Sequence, residues 1–281
     1  MTEVDIDYLK SWIARERTVT DHITPRLAAS LHAVLDIDRP VVQGSPAPVG
    51  IHWCLAPDIV PMREIGLDGH PARGEFLPPV PYPRRMWAGG DLRFLGEFRI
   101  GDEVTRRSVI ENVEHKRGRS GDMIFVTVRH HYQTQRGAAL EERQDIVYRA
   151  LGAGSAPSQE ATPADGTPHY SRYIEASPVL LFRYSAITFN GHRIHYDQPY
   201  VTGEEGYPGL IFHGPLQATL LLELATERRN GDTPSYFAFR SVRPLFSGGR
   251  ISLNACAEDE RTLLWIADHA DTITMSANYS E

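Results

Sequence analysis

The sequence predicts an α+β protein made of two similar halves, each an antiparallel sheet and the second carrying an enclosed helix. Three observations predict it. One helix-forming run is apolar on nearly every side, two series of strand-like segments share an offset, and one Gly/Ala/Ser/Pro/Thr-rich stretch separates them.

The helix runs from Pro215 to Arg229, without an internal breaker and with Asn230-Gly231 as its stop. Leu216, Leu220, Leu221, Leu222 and Leu224, with Ala218 and Ala225, surround most of it, and only Gln217, Thr219 and Glu223 interrupt. A helix apolar on almost all sides is enclosed rather than laid on a surface. Strand-like segments follow at Tyr236 to Val242, Arg250 to Glu258, Thr262 to Asp268 and Thr272 to Ala277. Before the helix, Tyr184 to Phe189 reads as a short extended run leading into a polar loop.

The first half shows the same series. Leu92 to Ile100, Glu103 to Val113, Met123 to Gln133 and Gln144 to Ala150 alternate apolar with polar residues. An offset of 147 places Arg93 on Arg240, Phe98 on Leu245, Gly101 on Gly248, Val104 on Ile251 and Glu111 on Glu258, which reads as an internal duplication. The same offset carries the leucine helix onto Leu67 to Pro81, where Pro71, Pro78, Pro79 and Pro81 forbid one. Asp7 to Arg15 and Pro25 to Leu35 are expected to replace it in part. One enclosed helix wrapped by an antiparallel sheet is the hot-dog arrangement, and two such units in one chain make it a tandem, or double, hot-dog. The expected domains are 1–151, with room for an acyl group where the helix is missing, a linker over 152–168, and a catalytic unit over 169–281.

Composition narrows the function. With 41% hydrophobic and 23% charged residues the chain is globular, and no stretch approaches the roughly 20 apolar residues of a membrane helix. Met1 to Lys10 lacks the basic-then-apolar layout of a secretory signal, so a cytoplasmic location is expected. A net charge of −7 argues against nucleic-acid binding. Small anionic ligands remain open through local basic patches at Arg84-Arg85, Arg106-Arg107 or Lys116 to Arg119. Cys54 and Cys256, in different halves and apolar surroundings, are expected to be buried free thiols.

The densest polar cluster is Thr188 to Asp197, and eighteen residues after His195 comes His213-Gly214-Pro215 at the start of the leucine helix. Proline at a first helical position gives up no needed hydrogen bond. Gly214 admits close backbone approach, and the free N–H groups of an enclosed helix suit a thioester carbonyl gaining negative charge. His192, His195 and His213 also admit a metal reading, but no Glu or Cys joins them at a familiar spacing.

Phe189-Asn190-Gly191-His192-Arg193-Ile194-His195-Tyr196-Asp197, followed by Glu205 to Leu210 and by His213 to Leu216, resembles the MaoC-like dehydratases. Within them the likeness is to type 2 hydroxyacyl-thioester dehydratases and the mesaconyl-C4-CoA or itaconyl-CoA hydratases. Phe76 to Pro81, Arg84 to Gly90 and Gln144 to Arg149 resemble the first domain of those hydratases. The resemblance implies a hydro-lyase acting on the α,β-double bond of an acyl-CoA thioester, with His195 as catalytic base and acid and Gly214 receiving the thioester oxygen. R-specific hydratases of this superfamily carry an Asp five residues before that His. Here the position is Asn190, which orients a water but accepts no proton, so either His195 with a near-neutral pKa serves alone as base and acid, or His192 or Asp197 compensates. On a strand, His195 and Asp197 would face the same side.

Arg84, Arg85 and Arg193 are expected to contact substrate, as a clamp for a second carboxylate or for CoA phosphates, and His213 and Tyr196 to line the site. No metal or redox cofactor is implied, because a thioester already acidifies its α-carbon. The halves pair within one chain, and a homodimer of the whole chain is compatible with that. Two other readings stand beside this one: a hot-dog thioesterase using Glu223, and a non-catalytic acyl-thioester binding protein.

Overall fold

The computed structural model of the chain describes residues 4–118, 121–150, 167–257 and 261–280. Among the described residues the first half supplies β1 (Glu16–His22), β2 (Arg84–Phe94), β3 (Glu103–Gly118), β4 (Gly121–Thr134) and β5 (Gly137–Arg149). The second supplies β6 (Tyr170–Glu175), β7 (Tyr236–Ser241), β8 (Arg250–Ala257), β9 (Thr262–Ala267) and β10 (Ile273–Ser280). They form one antiparallel sheet in the order β1-β3-β4-β5-β2-β7-β10-β9-β8-β6.

The halves meet where β2 pairs with β7, Gly89 to Arg93 lying opposite Arg240 to Tyr236. At the middle of this seam Asp91 faces Ala238, and these two residues are themselves 147 apart. The offset read from sequence is thus the local twofold relation of the sheet. Gly101 and Gly248 share the same turn, both at φ +98°, a conformation that favours glycine. The offset's last partner, Glu258, and the expected linker, except Thr167 and Pro168, lie outside the described residues.

Five helices are described: α1 (Ile6–Lys10), α2 (Pro25–Leu35), α3 (Pro178–Thr188), α4 (Gln198–Gly203) and α5 (Gly214–Arg228). Every residue of α5 from Leu216 to Thr226 is buried, as the all-round apolar pattern requires. Leu67 to Pro81 forms no helix.

Several expectations are corrected. Tyr184 to Phe189 is the end of α3, not a strand; Ser177 and Pro178 start that helix with a capping hydrogen bond and a preset φ, and Phe189 ends it in the left-handed region. Nor does α2 replace the missing helix. It is the counterpart of α3: both have 11 residues, Thr24-Pro25 matches Ser177-Pro178, and both end on a left-handed residue, Asp36 or Phe189. The two pack against each other. Asp7 to Arg15 shortens to α1, and β2 begins at Arg84 rather than Leu92. Of the cysteines, only Cys54 is buried, its thiol pushed up to about 12 by burial; Cys256 is half-buried, and both are free.

Without a central helix the first half leaves one sheet face polar. Arg106 and Ser108 of β3, His130 and Tyr132 of β4, and Glu142 and Gln144 of β5 are neighbours there. The second half fills the corresponding space with leucine. Leu221→Ala, at a fully buried position of α5, should destabilise the protein by roughly 2–5 kcal/mol, measurable as a lower urea midpoint.

Candidate active site

A cavity of about 1010 Å³ runs between the halves, lined on one side by Asn190 to His192, His195, Tyr196, Gly214 and Pro215, and on the other by Trp53, His70, Arg84, Arg85 and Trp87. Local sequence sets the wall that carries Asn190 and His195. Phe189 turns the chain out of α3, Asn190 Oδ1 accepts from the His192 N–H at 3.0 Å, and Arg193–His195 form one 3-10 turn. Because this is a turn and not a strand, His195 and Asp197 do not share a face.

His195 is buried, and its Nδ1 lies 2.8 Å from the Ile211 carbonyl oxygen. A carbonyl only accepts, so Nδ1 carries the proton and Nε2 is left as the basic atom. Burial pulls this imidazole down to about 3, against the opposing pull of the Ile211 bond, so it is uncharged at neutral pH and does not sit near neutrality as expected from sequence. Its ring stacks on His213 at 3.6 Å. His213 in turn meets Ser185 Oγ through Nε2 at 2.8 Å and immediately precedes Gly214, the first residue of α5. His195 and the helix N-terminus are therefore joined through one stacked ring. Gly214 and Leu216 have amides with no intrahelical partner, at the positive end of the helix.

A second turn faces the first. Asp68-Gly69-His70 repeats the geometry of Asn190-Gly191-His192: Asp68 Oδ1 accepts from the His70 N–H at 3.0 Å. The two glycines touch, and a Cβ on Gly69 would stand 2.0 Å from the Gly191 carbonyl oxygen. Arg193 ties the turns together, its N–H donating to the Asp68 carbonyl and its guanidinium to that of Leu67. The His70 and His192 rings then lie 4.2 Å apart, and His192 meets His195 edge-on at 5.4 Å. Burial holds His192 well below its usual range, with the neighbouring His70 and His195 adding to the effect.

Asp68, His70 and His192 bring ligand atoms within 4.8 Å of one another, as a metal site would need. Their surroundings oppose a cation: Arg73 lies 3.7 Å from Asp68, and the Arg85 charge acts on both histidines. The cluster suits a neutral or anionic group.

Several expected residues lie elsewhere. Asp197 caps α4 and binds Arg193 at 2.8 Å, and neither lines the cavity, so Asp197 does not compensate for Asn190 and Arg193 is no clamp. Arg193 is held over the Tyr200 ring. His213 is fully buried behind His195 and does not reach substrate space. Arg84 lines the cavity but is engaged by Glu205 and stacked on Tyr207. Arg85 lines it with no hydrogen bond or ion pair among the described residues. Tyr196, half-exposed, donates to the Gly191 carbonyl at the cavity's edge. Sequence reasoning missed Asp68 and His70; the recurrence of an Asx-Gly-His tripeptide was the available signal.

With His195 at about 3, kcat/KM should stay level as pH falls through 6.5, where an ordinary histidine base would already be half protonated. Stability runs the other way. Folded His52, His130 and His195, near 4, 3 and 3, stay neutral while their unfolded counterparts take up protons. The stabilisation is therefore complete above about pH 6.5 and lost as pH falls from there toward 3. Urea midpoints at pH 7.5 and pH 5 check this.

Comparisons with known proteins agree with the geometry. The hydroxyacyl-thioester dehydratase type 2 family matches residues 50–247. Mesaconyl-C(4)-CoA hydratase of Chloroflexus aurantiacus is 43% identical over 272 residues, 90% of this chain and 95% of that protein. The mitochondrial hydroxyacyl-thioester dehydratase type 2 of Schizosaccharomyces pombe is 27% identical over 70% of this chain and 73% of its own length. Among solved structures, a MaoC-like dehydratase superposes with a TM-score of 0.74 at 14% identity, covering 97% of this chain and 98% of that one. One from Phytophthora capsici gives 0.73 at 15% identity, over 99% and 98%. These structures share the double hot-dog fold expected from sequence, and the chain belongs to the hydroxyacyl-thioester dehydratase type 2 family of acyl-thioester hydro-lyases.

Proposed function

We propose that this hydro-lyase acts on a short acyl-CoA bearing a second carboxylate near the double bond, with His195 as its proton-transfer group. The observation that carries the mechanism is the His195 tautomer: Nδ1–H is committed to the Ile211 carbonyl, so Nε2 takes a proton from water. The hydroxide adds to the β-carbon, the electron pair moves to the thioester oxygen, and the free amides at the start of α5 stabilise that charge. The same proton then passes from His195 to the α-carbon, closing the balance. Asn190, its Oδ1 engaged by His192 N–H, keeps its amide N–H groups to orient the water. His192 stands beside this water site as a neutral hydrogen-bonding ring.

Support for the second carboxylate comes from Arg85. It stands near His70 and His192, close enough for its charge to depress both, and it has no partner among the described residues. A carboxylate attached near the reacting carbons would meet that guanidinium. The name of the Chloroflexus relative, a mesaconyl-C(4)-CoA hydratase, points to such a substrate and to CoA as carrier. The thioesterase reading loses its candidate, since Glu223 lies away from the cavity and faces Arg39 at 3.7 Å.

The test is hydration of mesaconyl-C4-CoA and crotonyl-CoA, followed at the absorbance of the conjugated thioester. His195→Ala should cut turnover by roughly 10²- to 10⁴-fold. Arg85→Gln should weaken the dicarboxylic substrate by about 1.5–3 kcal/mol in kcat/KM while barely changing crotonyl-CoA. Equal rates of the wild-type enzyme on both substrates would remove the carboxylate clamp and leave the hydro-lyase.

A further inference from the structure

Next to Gly214 the cavity wall is Trp87, whose Cε3 would lie 3.6 Å from a Cβ placed on that glycine. The Trp87 ring meets Trp53 edge-on at 5.5 Å, and Trp53 meets Phe239 in the same way at 6.1 Å. Trp53 also stands beside α5: a Cβ on Gly50 would contact Thr219 and Trp53 together, at 3.0 and 3.4 Å. Thr219 is five residues past Gly214, which puts Trp53 roughly 7 Å deeper along the helix. An acyl chain seated with its thioester at Gly214 and running into the first half meets this indole.

The indole is not free to swing aside. Its Nε1 donates to Glu142 Oε1 at 2.7 Å, and Glu142 is completely buried. Tyr132 and Gln144 donate to the same carboxyl group, each at 2.8 Å. Displacing Trp53 would remove one of the donors to a buried acceptor, a costly loss in a dry site. The wall around Trp53 is no better for hydrocarbon. Arg106, Tyr132 and Gln144 line the cavity there, and the buried Trp87 Nε1 has no hydrogen-bond partner among the described residues. The space left by the missing helix thus ends in polar groups and a fixed ring.

We infer that Trp53, held by Glu142, is the residue that limits acyl length, so that the enzyme accepts short acyl groups and rejects long apolar ones. This rests on the hydro-lyase reading above but not on the carboxylate clamp. A four-carbon enoyl group ends before the indole, and an eight-carbon one does not.

The experiment compares kcat/KM for trans-2-octenoyl-CoA and crotonyl-CoA in the wild-type chain and in Trp53→Ala, Trp53→Leu and Trp53→Phe. Binding of the unreactive octanoyl-CoA and butyryl-CoA is measured alongside by calorimetry. The octenoyl-to-crotonyl ratio should rise about tenfold or more in the Ala variant, less in Leu, and little in Phe, which keeps most of the ring. Octanoyl-CoA affinity should follow the same order. Should the Ala variant fail to fold, the Leu and Phe pair carries the comparison. A wild-type enzyme that hydrates octenoyl-CoA as well as crotonyl-CoA overturns the inference. So does a ratio unmoved in folded, active variants, or one raised equally by Phe. A wild-type chain inactive on every enoyl-CoA, yet still binding butyryl-CoA and octanoyl-CoA, would remove the hydro-lyase reading and this inference with it.

Discussion

The enclosure of α5 by the second half of the sheet is the constraint from which the site follows. Burying an apolar helix on every side also buries its N-terminus, and the amides there keep no partner in the helix itself. Water would normally satisfy and screen them. In this fold they open into a cavity instead, where a developing negative charge feels them at short range and low dielectric. The proline at Pro215 removes one N–H that would otherwise compete, and His213 anchors the helix start by stacking on His195.

The imidazoles around this point form a continuous series, His70, His192, His195 and His213, with His195 at its centre. Such crowding is tolerable only if the rings are uncharged, and burial makes them so. Neutral histidine is the form that the proposed base needs. The stacking that places His195 and the burial that keeps it unprotonated are thus one arrangement. The facing Asx-Gly-His turns complete it, since only glycine at positions 69 and 191 lets the two halves approach so closely.

The duplication lets one chain line the cavity from two differing halves. The seam between β2 and β7 keeps the sheet twofold, and α2 and α3 preserve the symmetry outside it. At the central helix the halves diverge. One keeps leucine against the sheet; the other keeps a buried carboxyl group, an arginine and hydrogen-bonding aromatics. A core face turned polar in this way has little to stabilise it except its own hydrogen bonds. The three donors around Glu142 show how that is met.

Much of the fold was legible in residue order, because the governing signals are local. The all-round leucine pattern specified a buried helix, prolines excluded its twin, and the shared glycine turn exposed the repeat. The motif from Asn190 to His195, with Gly214, located one wall of the cavity. What stayed hidden depends on contacts between distant segments. α3 escaped notice because its outer face is apolar and exposed, at Val179 and Phe182, which blurs helical periodicity. The short edge strands β1 and β6 alternate exposed with only half-buried residues, and the half-buried positions include Arg17, Asp21 and Arg172, so no apolar alternation marks them. No spacing in the chain could show that His213 lies behind His195, or that Asp68 and His70 join a site more than a hundred residues away. Those roles are assigned by which side chains tertiary packing brings within a few ångströms, and pairwise distance across the fold is information that a linear pattern does not carry.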